Sequence, residues 1–334
     1  MKSGLFCTFE NHHQNAHCAI QDQVALVQHA EQLGFEEAWI TEHHFSEHQV
    51  SPSILPLMAY LAGVTSTIDL GSAAVLLAFH DPIQVAEDVA MLDHLCQGRF
   101  RFGIAKGGPF PEQNRHFGIS MTEARARTLE ALALIEKLLY HTDVSFTGQF
   151  YHCDRLTIHP RPFQSHIPVY IASSDPDAIA LAALHSFGIM GGPPFSLNQL
   201  QCNLAHYRAI NNSGADALVL TRFFLVAPTD EAAIAAALPF IQTFSARMQA
   251  NTAQLQNVGN TQHLTLNGKA GGCFDPTYLL GNSIIGSVAT CRDRIKRFQD
   301  ELNLGTLALK PCALDLQQNL DSLTLYAEAV RPSL

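Results

Sequence analysis

Three observations predict that this chain folds as a closed (β/α)8 TIM barrel with insertions. Short β-branched runs alternate with longer runs of helical period along the sequence, as expected of a parallel sheet wrapped by helices. Eight of the short runs are each followed by a helical one, the count that closes such a barrel. No Gly-x-Gly-x-x-Gly opens a helix after a strand, which disfavours an open dinucleotide-binding sheet. A length of 334 residues suits one barrel domain with insertions, so residues 1–334 are read as a single domain.

Taken in order, the strands fall at 3–8, 37–40, 70–77, 100–105, 169–172, 188–191, 218–226 and 306–309. Helical runs follow at 21–33, 53–65, 83–95, 121–141, 176–186, 197–212, 230–248 and 289–302, and a last one at 316–329 closes the chain. Ser51-Pro52, Asp81-Pro82 and Asp175-Pro176 place proline at helix starts, where its missing N–H costs nothing. Two stretches interrupt the alternation. Residues 143–158 read as a small hairpin turning at Gly148. Residues 251–281 carry several Gly and Asn with no strong period, and an insertion of that length reads as a lid or binding loop.

Composition narrows the function classes. With 47% hydrophobic residues there is material for a large core, while 15% charged is low for a fully wetted surface. Part of the surface is therefore expected to be covered, most simply in a homodimer. A net charge of −10 without any basic run argues against a nucleic-acid or anionic-membrane partner. The first residues lack the apolar core of a signal peptide, and no window reaches 18 uninterrupted apolar residues. The eight cysteines are scattered without a Cys-x-x-Cys pair and read as reduced, mostly buried thiols of a cytoplasmic protein.

In a barrel, chemistry gathers where the strands end. The second strand runs into Thr41-Glu42-His43-His44-Phe45-Ser46-Glu47-His48. Three readings stand: a metal site, a proton-transferring His oriented by Glu42, or structural histidines. Adjacent histidines on an extended segment point to opposite sides, which counts against a shared ion, and no metal is expected. After the third strand, Ala73 and Ala74 let a planar ligand approach the backbone, or simply pack tightly. Lys106, Gly107 and Gly108 after the fourth strand offer a cation and backbone N–H groups to a phosphate, though Pro109 and the absence of Gly-Lys-Ser/Thr rule out a Walker A loop. Ser173 and Ser174 precede Asp175-Pro176 at a helix start, which is either a phosphate site or only a cap.

These segments resemble the bacterial-luciferase-like flavin monooxygenases. The resemblance lies in Ala38-Trp39-Ile40-Thr41-Glu42-His43-His44-Phe45, in Gly71-Ser72-Ala73-Ala74-Val75 continuing to His80-Asp81-Pro82-Ile83-Gln84-Val85-Ala86-Glu87-Asp88, and in Leu92-Asp93-His94-Leu95-Cys96-Gln97-Gly98-Arg99-Phe100-Arg101-Phe102-Gly103-Ile104. It continues through Arg125, residues 173–183 and the Ile285-Gly286-Ser287 start of a late helix, and is weakest over 251–281. It implies a usually dimeric barrel that takes FMN as FMNH2 from a separate flavin reductase and uses O2 to oxidise a small-molecule substrate. By the same resemblance His43 is the active-site histidine, donating to or orienting the reacting oxygen, and Glu42 and His44 belong to the catalytic cluster. Ala73-Ala74 is a non-prolyl cis peptide beneath the flavin ring, and Lys106, Gly107, Ser173 and Ser174 hold the cofactor. Ala105 stands where light-emitting members carry a reactive cysteine, so light emission is not supported. The alternatives within and beyond this reading are hydride transfer with a deazaflavin and a non-catalytic flavin-binding protein. Phe6, Phe79, Phe110 and Phe195 are expected to line a pocket for an apolar substrate such as an aldehyde.

Overall fold

The computed structural model describes residues 1–108, 110–212, 218–255, 265–266 and 269–334. In chain order the strands are β1 (Lys2–Cys7), β2 (Glu37–Ile40), β3 (Asp69–Ser72), its continuation β4 (Val75–Leu76), β5 (Phe100–Ala105), the hairpin pair β6 (Val144–Thr147) and β7 (His152–Leu156), β8 (Val169–Ile171), β9 (Gly188–Gly191), β10 (Leu218–Val226), the short pair β11 (Thr265–Leu266) and β12 (Lys269–Ala270), β13 (Ile284–Gly286) and β14 (Thr306–Pro311). The α-helices are α1 (Ala16–Gln32), α2 (Ile54–Val64), α3 (Pro82–Leu95), α4 (Pro111–Phe117), α5 (Ala124–Tyr140), α6 (Pro176–Leu184), α7 (Leu197–Ile210), α8 (Asp230–Leu255), α9 (Pro276–Gly281), α10 (Val288–Leu302) and α11 (Leu316–Leu325).

Parallel pairing runs β1-β2-β3-β5-β8-β9-β10-β14 and returns to β1, so the barrel is closed and its eight members are the eight predicted runs. The prolines before α3 and α6 stand at the first helical turn behind capping Asp81 and Asp175, whose carboxylates accept backbone N–H groups. The hairpin expected over 143–158 forms, and Glu130 holds its turn by accepting the N–H groups of Gln149, Phe150 and Tyr151.

Several boundaries differ from the sequence reading. The run 70–77 is two strands, interrupted at Ala73 and Ala74. Residues 284–286 form a strand, because the buried Ile284 and Ile285 extend the sheet beside Phe224–Val226, and Ser287 is only the cap of α10. The chain starts α1 at Ala16, where Asn15 accepts the N–H of Cys18, and α4 is a short helix with no long-period signature, stopped by Gly118 in the left-handed conformation. In the insertion, α8 continues to Leu255 and α9 forms near its end; residues 256–264, 267 and 268 lie outside the described residues, as does Pro109.

The barrel interior is filled by Trp39, Met190, Val219 and Ala308, with Phe6, Ala73, Tyr170 and Ala172 packed against them. Trp39 is the chain's sole tryptophan and is fully buried. Its Nε1 donates to Glu37 at 2.9 Å, and Lys2 donates to the other oxygen of that carboxylate at 2.7 Å, so the indole's polar edge is satisfied at the barrel base. The ring fits because β3 carries glycine opposite it: a Cβ on Gly71 would stand 2.3 Å from Trp39 Cε3. Five of the eight cysteines are buried. Among the described residues no helix is long and apolar enough to cross a membrane.

Gly71→Ala is expected to destabilise the fold by about 1–3 kcal/mol through overpacking. Gly63→Ala, on the α2 surface with open space around it, should be neutral or stabilising by up to about 1 kcal/mol. Chemical denaturation of the two variants checks this; equal effects would show that the indole does not fix the interior.

Candidate active site

At the C-terminal ends of the strands lies a cavity of about 300 Å³, within the range of small-molecule pockets. Its small-residue wall is Ala73 and Ala74 from the β3–β4 break, Ala105, Gly107 and Gly108 after β5, and Ala172 after β8. Phe6, Leu76, Phe110, Phe244 and Met248 make it apolar elsewhere. Phe6 and Phe110 thus stand where the sequence placed them. Phe79 stacks on Phe117 at 5.0 Å between centroids, and neither it nor Phe195 lines the cavity.

The break that exposes Ala73 and Ala74 has a specific support. β3 pairs with β5 through Gly71 and Arg101, and β4 pairs with it again from Val75 and Ile104, leaving Phe102 and Gly103 without a ladder partner on that side. Ser72 supplies one: its hydroxyl donates to the Gly103 carbonyl and accepts the Gly103 N–H, both at 2.8 Å. Only glycine permits this approach, since a Cβ on Gly103 would lie 1.9 Å from the Ser72 carbonyl oxygen. The Ala73-Ala74 peptide between the two strand pieces is cis.

His43 and His44 turn to opposite sides, as adjacent residues on extended backbone do. His43 lines the cavity. Thr41 donates its one hydroxyl proton to the Cys7 carbonyl at 3.1 Å, so its oxygen accepts from His43 Nδ1, also at 3.1 Å. That leaves His43 with Nδ1–H and a bare Nε2. Burial, then the charges of Lys310 and Arg247 against that of Glu10, push its pKa down to about 4, so the ring is neutral.

One of the readings open for this segment has Glu42 orienting a proton-transferring histidine; Glu42 does not contact His43, which Thr41 holds, and serves two other histidines instead. One oxygen of the buried Glu42 carboxylate accepts from His44 Nε2 at 2.6 Å and His80 Nε2 at 2.7 Å, and the other accepts the Leu76 N–H at 3.1 Å. His44 is packed edge-on against Phe117 at 4.8 Å and does not line the cavity. Burial opposes ionisation of Glu42, but the bonds from His44, His80 and Leu76 and the charge of His80 hold its carboxyl below the usual range. Burial also opposes charge on His80, and Glu42 and Asp88 outweigh it, raising the imidazole's pKa. Among the described residues, Glu42, His44 and His80 are the group of potential ligands that converges; the shared carboxylate already satisfies both rings.

A cationic corner flanks the cavity. Lys106 and Ser173 follow Ala105 and Ala172, which line it, and Gly107 returns to its wall. Burial and the nearby Arg125 depress the Lys106 pKa, against Asp175. Arg125 pairs with Asp175 at 2.8 Å, while Asp175 caps α6 and its own N–H is taken by the Ser173 hydroxyl at 3.1 Å. Lys106, Arg125, Ser173, Ser174 and the start of α6 form a set of donors suited to a phosphate. Arg125 stands in the first turn of α5, far in sequence from any strand end, and no local pattern there marks it as a ligand contact.

Two further polar features were not legible. Glu10 beyond β1 accepts Thr8 Oγ1, Gln49 Nε2 and Lys310 Nζ on a single oxygen at 2.9–3.2 Å. The loop Gly192-Pro193-Pro194-Phe195, whose Pro193 lines the cavity, has its carbonyls held by side chains. The fully buried Arg222 donates to Gly192 and Phe195 at 2.9 Å, Asn282 to Pro193 and Phe195 at 2.9 and 3.0 Å, and Tyr278 to Pro194 at 3.3 Å. Burial pulls the Arg222 pKa down to about 9. These residues come from separate strands, helices and loops, and no local motif announces them.

Fold and site together define a parallel barrel whose C-terminal rim joins an apolar, small-walled cavity to a cationic corner. The luciferase-like monooxygenase family model matches residues 1–302, and the chain belongs to that family. It is 32% identical over 176 residues to limonene 1,2-monooxygenase of Rhodococcus erythropolis, covering 53% of this chain and 45% of that one. Among solved structures it superposes on a monooxygenase from Streptomyces bottropensis with a TM-score of 0.82 at 23% identity, over 99% of both chains. It also superposes on the oxygenating constituent of 3,6-diketocamphane monooxygenase of Pseudomonas putida, solved with FMN, with a TM-score of 0.83 at 19% identity over 100% and 99% of the chains. The matches span between 45% and 66% of the length of the curated relatives.

The Glu42 cluster makes a signed pH prediction. The lowered Glu42 pKa adds stability that is complete above its ordinary value of 4.5 and is lost as pH falls through the folded value. The raised His80 pKa adds stability that is complete below 6.5 and is lost as pH rises through the folded value. Urea unfolding should therefore show lower stability at pH 8.5 than at pH 6. Glu42→Gln should lose about 1–3 kcal/mol at pH 6 and flatten that difference. An unchanged pH profile in the variant would refute the pairing.

Proposed function

We propose that the protein is a monooxygenase that takes FMN as FMNH2 from a separate flavin reductase and uses O2 to oxidise a small organic substrate with an apolar body. The observation that carries this reading is the junction of the cationic corner with the small-residue wall, which suits a group that is planar at one end and phosphorylated at the other. Reduced flavin, when bound, supplies the electrons that activate O2.

The remaining work falls to this chain's own residues. Lys106, Arg125, Ser173 and Ser174 hold the phosphate, with Gly107 giving backbone access. Ala73 and Ala74 leave room for the ring, which a larger side chain would occupy. Leu76, Phe110, Phe244 and Met248 exclude water around the reacting atoms. His43, neutral and with Nε2 bare, accepts a hydrogen bond or a proton from the substrate or its oxygen, where the resemblance implies that it donates to or orients that oxygen. Glu42 and His44 support this segment from behind.

The full chain, residues 1–334, acts as one catalytic unit in a cytoplasmic homodimer. Support for the dimer comes from α2, whose residues are apolar almost all round, and from the exposed Tyr60 of α2 and Met91 and Leu95 of the neighbouring α3.

Fluorescence titration should show Lys106→Ala weakening FMN about tenfold or more, equivalent to about 1.4 kcal/mol, while leaving riboflavin binding unchanged. His43→Ala should bind FMN normally yet oxidise substrate about 100-fold more slowly or less. Reconstitution with FMN and a reductase separates the alternatives: hydride transfer to a deazaflavin consumes no O2, and a binding protein forms no product. Equal loss of FMN and riboflavin in Lys106→Ala would refute the phosphate assignment.

A further inference from the structure

The mouth of the barrel carries a second cationic feature, on the side away from Lys106. In the closed strand order, β14 and β1 stand four places from β5 and β8, which is halfway round an eight-stranded barrel. Lys310 ends β14, Glu10 follows β1, and Arg247 reaches the cavity from α8 above them.

The two cations differ in how they are held. Lys310 is almost wholly buried, is bonded to Glu10 at 3.0 Å, and is ringed by Phe223, Phe240 and Phe244 with its Nζ 5.1–5.3 Å from their centroids. It is neutralised where it stands. Arg247 lies beside Phe244, its guanidinium carbon 5.8 Å from the ring centroid, and lines the cavity. It has no hydrogen-bond or ion-pair partner among the described residues, and Glu10 is the sole acidic group acting on it. One carboxylate thus faces two cations, leaving a net positive charge on an otherwise apolar wall. A guanidinium in such a place is a fork of donors that matches a carboxylate.

We infer that Arg247 binds a carboxylate on the substrate, so that the molecule oxidised is an apolar acid rather than a neutral aldehyde or hydrocarbon. This deepens the monooxygenase reading and rests on it for the reaction, though not for the binding. The acid's apolar body lies along Phe110, Phe244 and Met248, and its charged end points away from the Lys106 corner. The two anion sites are then separate, one for the cofactor and one for the substrate.

Calorimetry on the flavin-free protein with octanoate and 1-octanol tests this, because the comparison stays readable even if FMN does not bind. Wild type should bind octanoate about 10- to 100-fold tighter than octanol. Arg247→Met should abolish that preference without changing octanol affinity or the thermal midpoint, and Arg247→Lys should restore part of it. Lys106→Ala should leave octanoate binding intact, and inorganic phosphate should not displace octanoate. Equal affinity for acid and alcohol in wild type overturns the inference. So does a preference that survives Arg247→Met, or one that is lost in Lys106→Ala. Failure of FMN binding with the octanoate preference intact would overturn the flavin reading and leave this one standing.

Discussion

The geometry of the site depends on one hydroxyl. Ser72 performs for Gly103 what a strand residue's own N–H and C=O would have done, at the level where β3 stops pairing and β4 has not begun. Buried backbone groups must be paired, so a break in a barrel strand is tolerated only where a side chain replaces the ladder. Because the replacement is local, the chain keeps the barrel closed and still turns two small residues out of the wall toward the cavity. The requirement for glycine at 103 is the other half of the same contact. Conserving this arrangement takes two residues on neighbouring strands, 31 positions apart.

The strand ends that frame the cavity meet different electrostatic surroundings. The side near β5 and β8 gathers Lys106 and Arg125 with Asp175 between them. The side near β14 and β1 gathers Lys310 and Arg247 around Glu10. His43 stands within the influence of the second group and, being buried, stays neutral. The second histidine is insulated from it: His44 shares its carboxylate with His80 among aromatic rings. Two adjacent histidines of identical chemistry are thus given separate environments by nothing more than the alternation of an extended chain.

The barrel was readable because its signal is local and repeated. The strands are short runs set between helical ones, several helices begin at a capping side chain or a proline, and the count selects closure. The Ala73-Ala74 step, Gly107 and the Ser173-Ser174 turn were readable as strand-end small residues and donors, and the family resemblance singled out His43. What escaped was the non-local part. Which partner orients His43 depends on where the neighbouring Cys7 carbonyl lies, and nothing in Thr41-Glu42-His43 says that Thr41 is the nearer. Arg125, Arg247 and Lys310 are ordinary residues of a helix start, a long helix and a strand; packing alone turns them toward the barrel mouth. β13 was hidden because three residues are too few to show a period.

The proline-rich loop after β9 has a bearing on how this cavity can change over evolution or by design. Its two prolines supply no N–H, and each of its four carbonyls is tied to Arg222, Asn282 or Tyr278. Those anchors reside on β10, on α9 and just beyond it, so a substitution at Pro193 is felt by three elements at once. The opposite bank, Phe244, Arg247 and Met248 on α8, contributes side chains from a single helix. New substrate preferences are therefore reached by exchanging side chains on α8, one face of one helix, while the loop acts as a fixed abutment against which they are fitted.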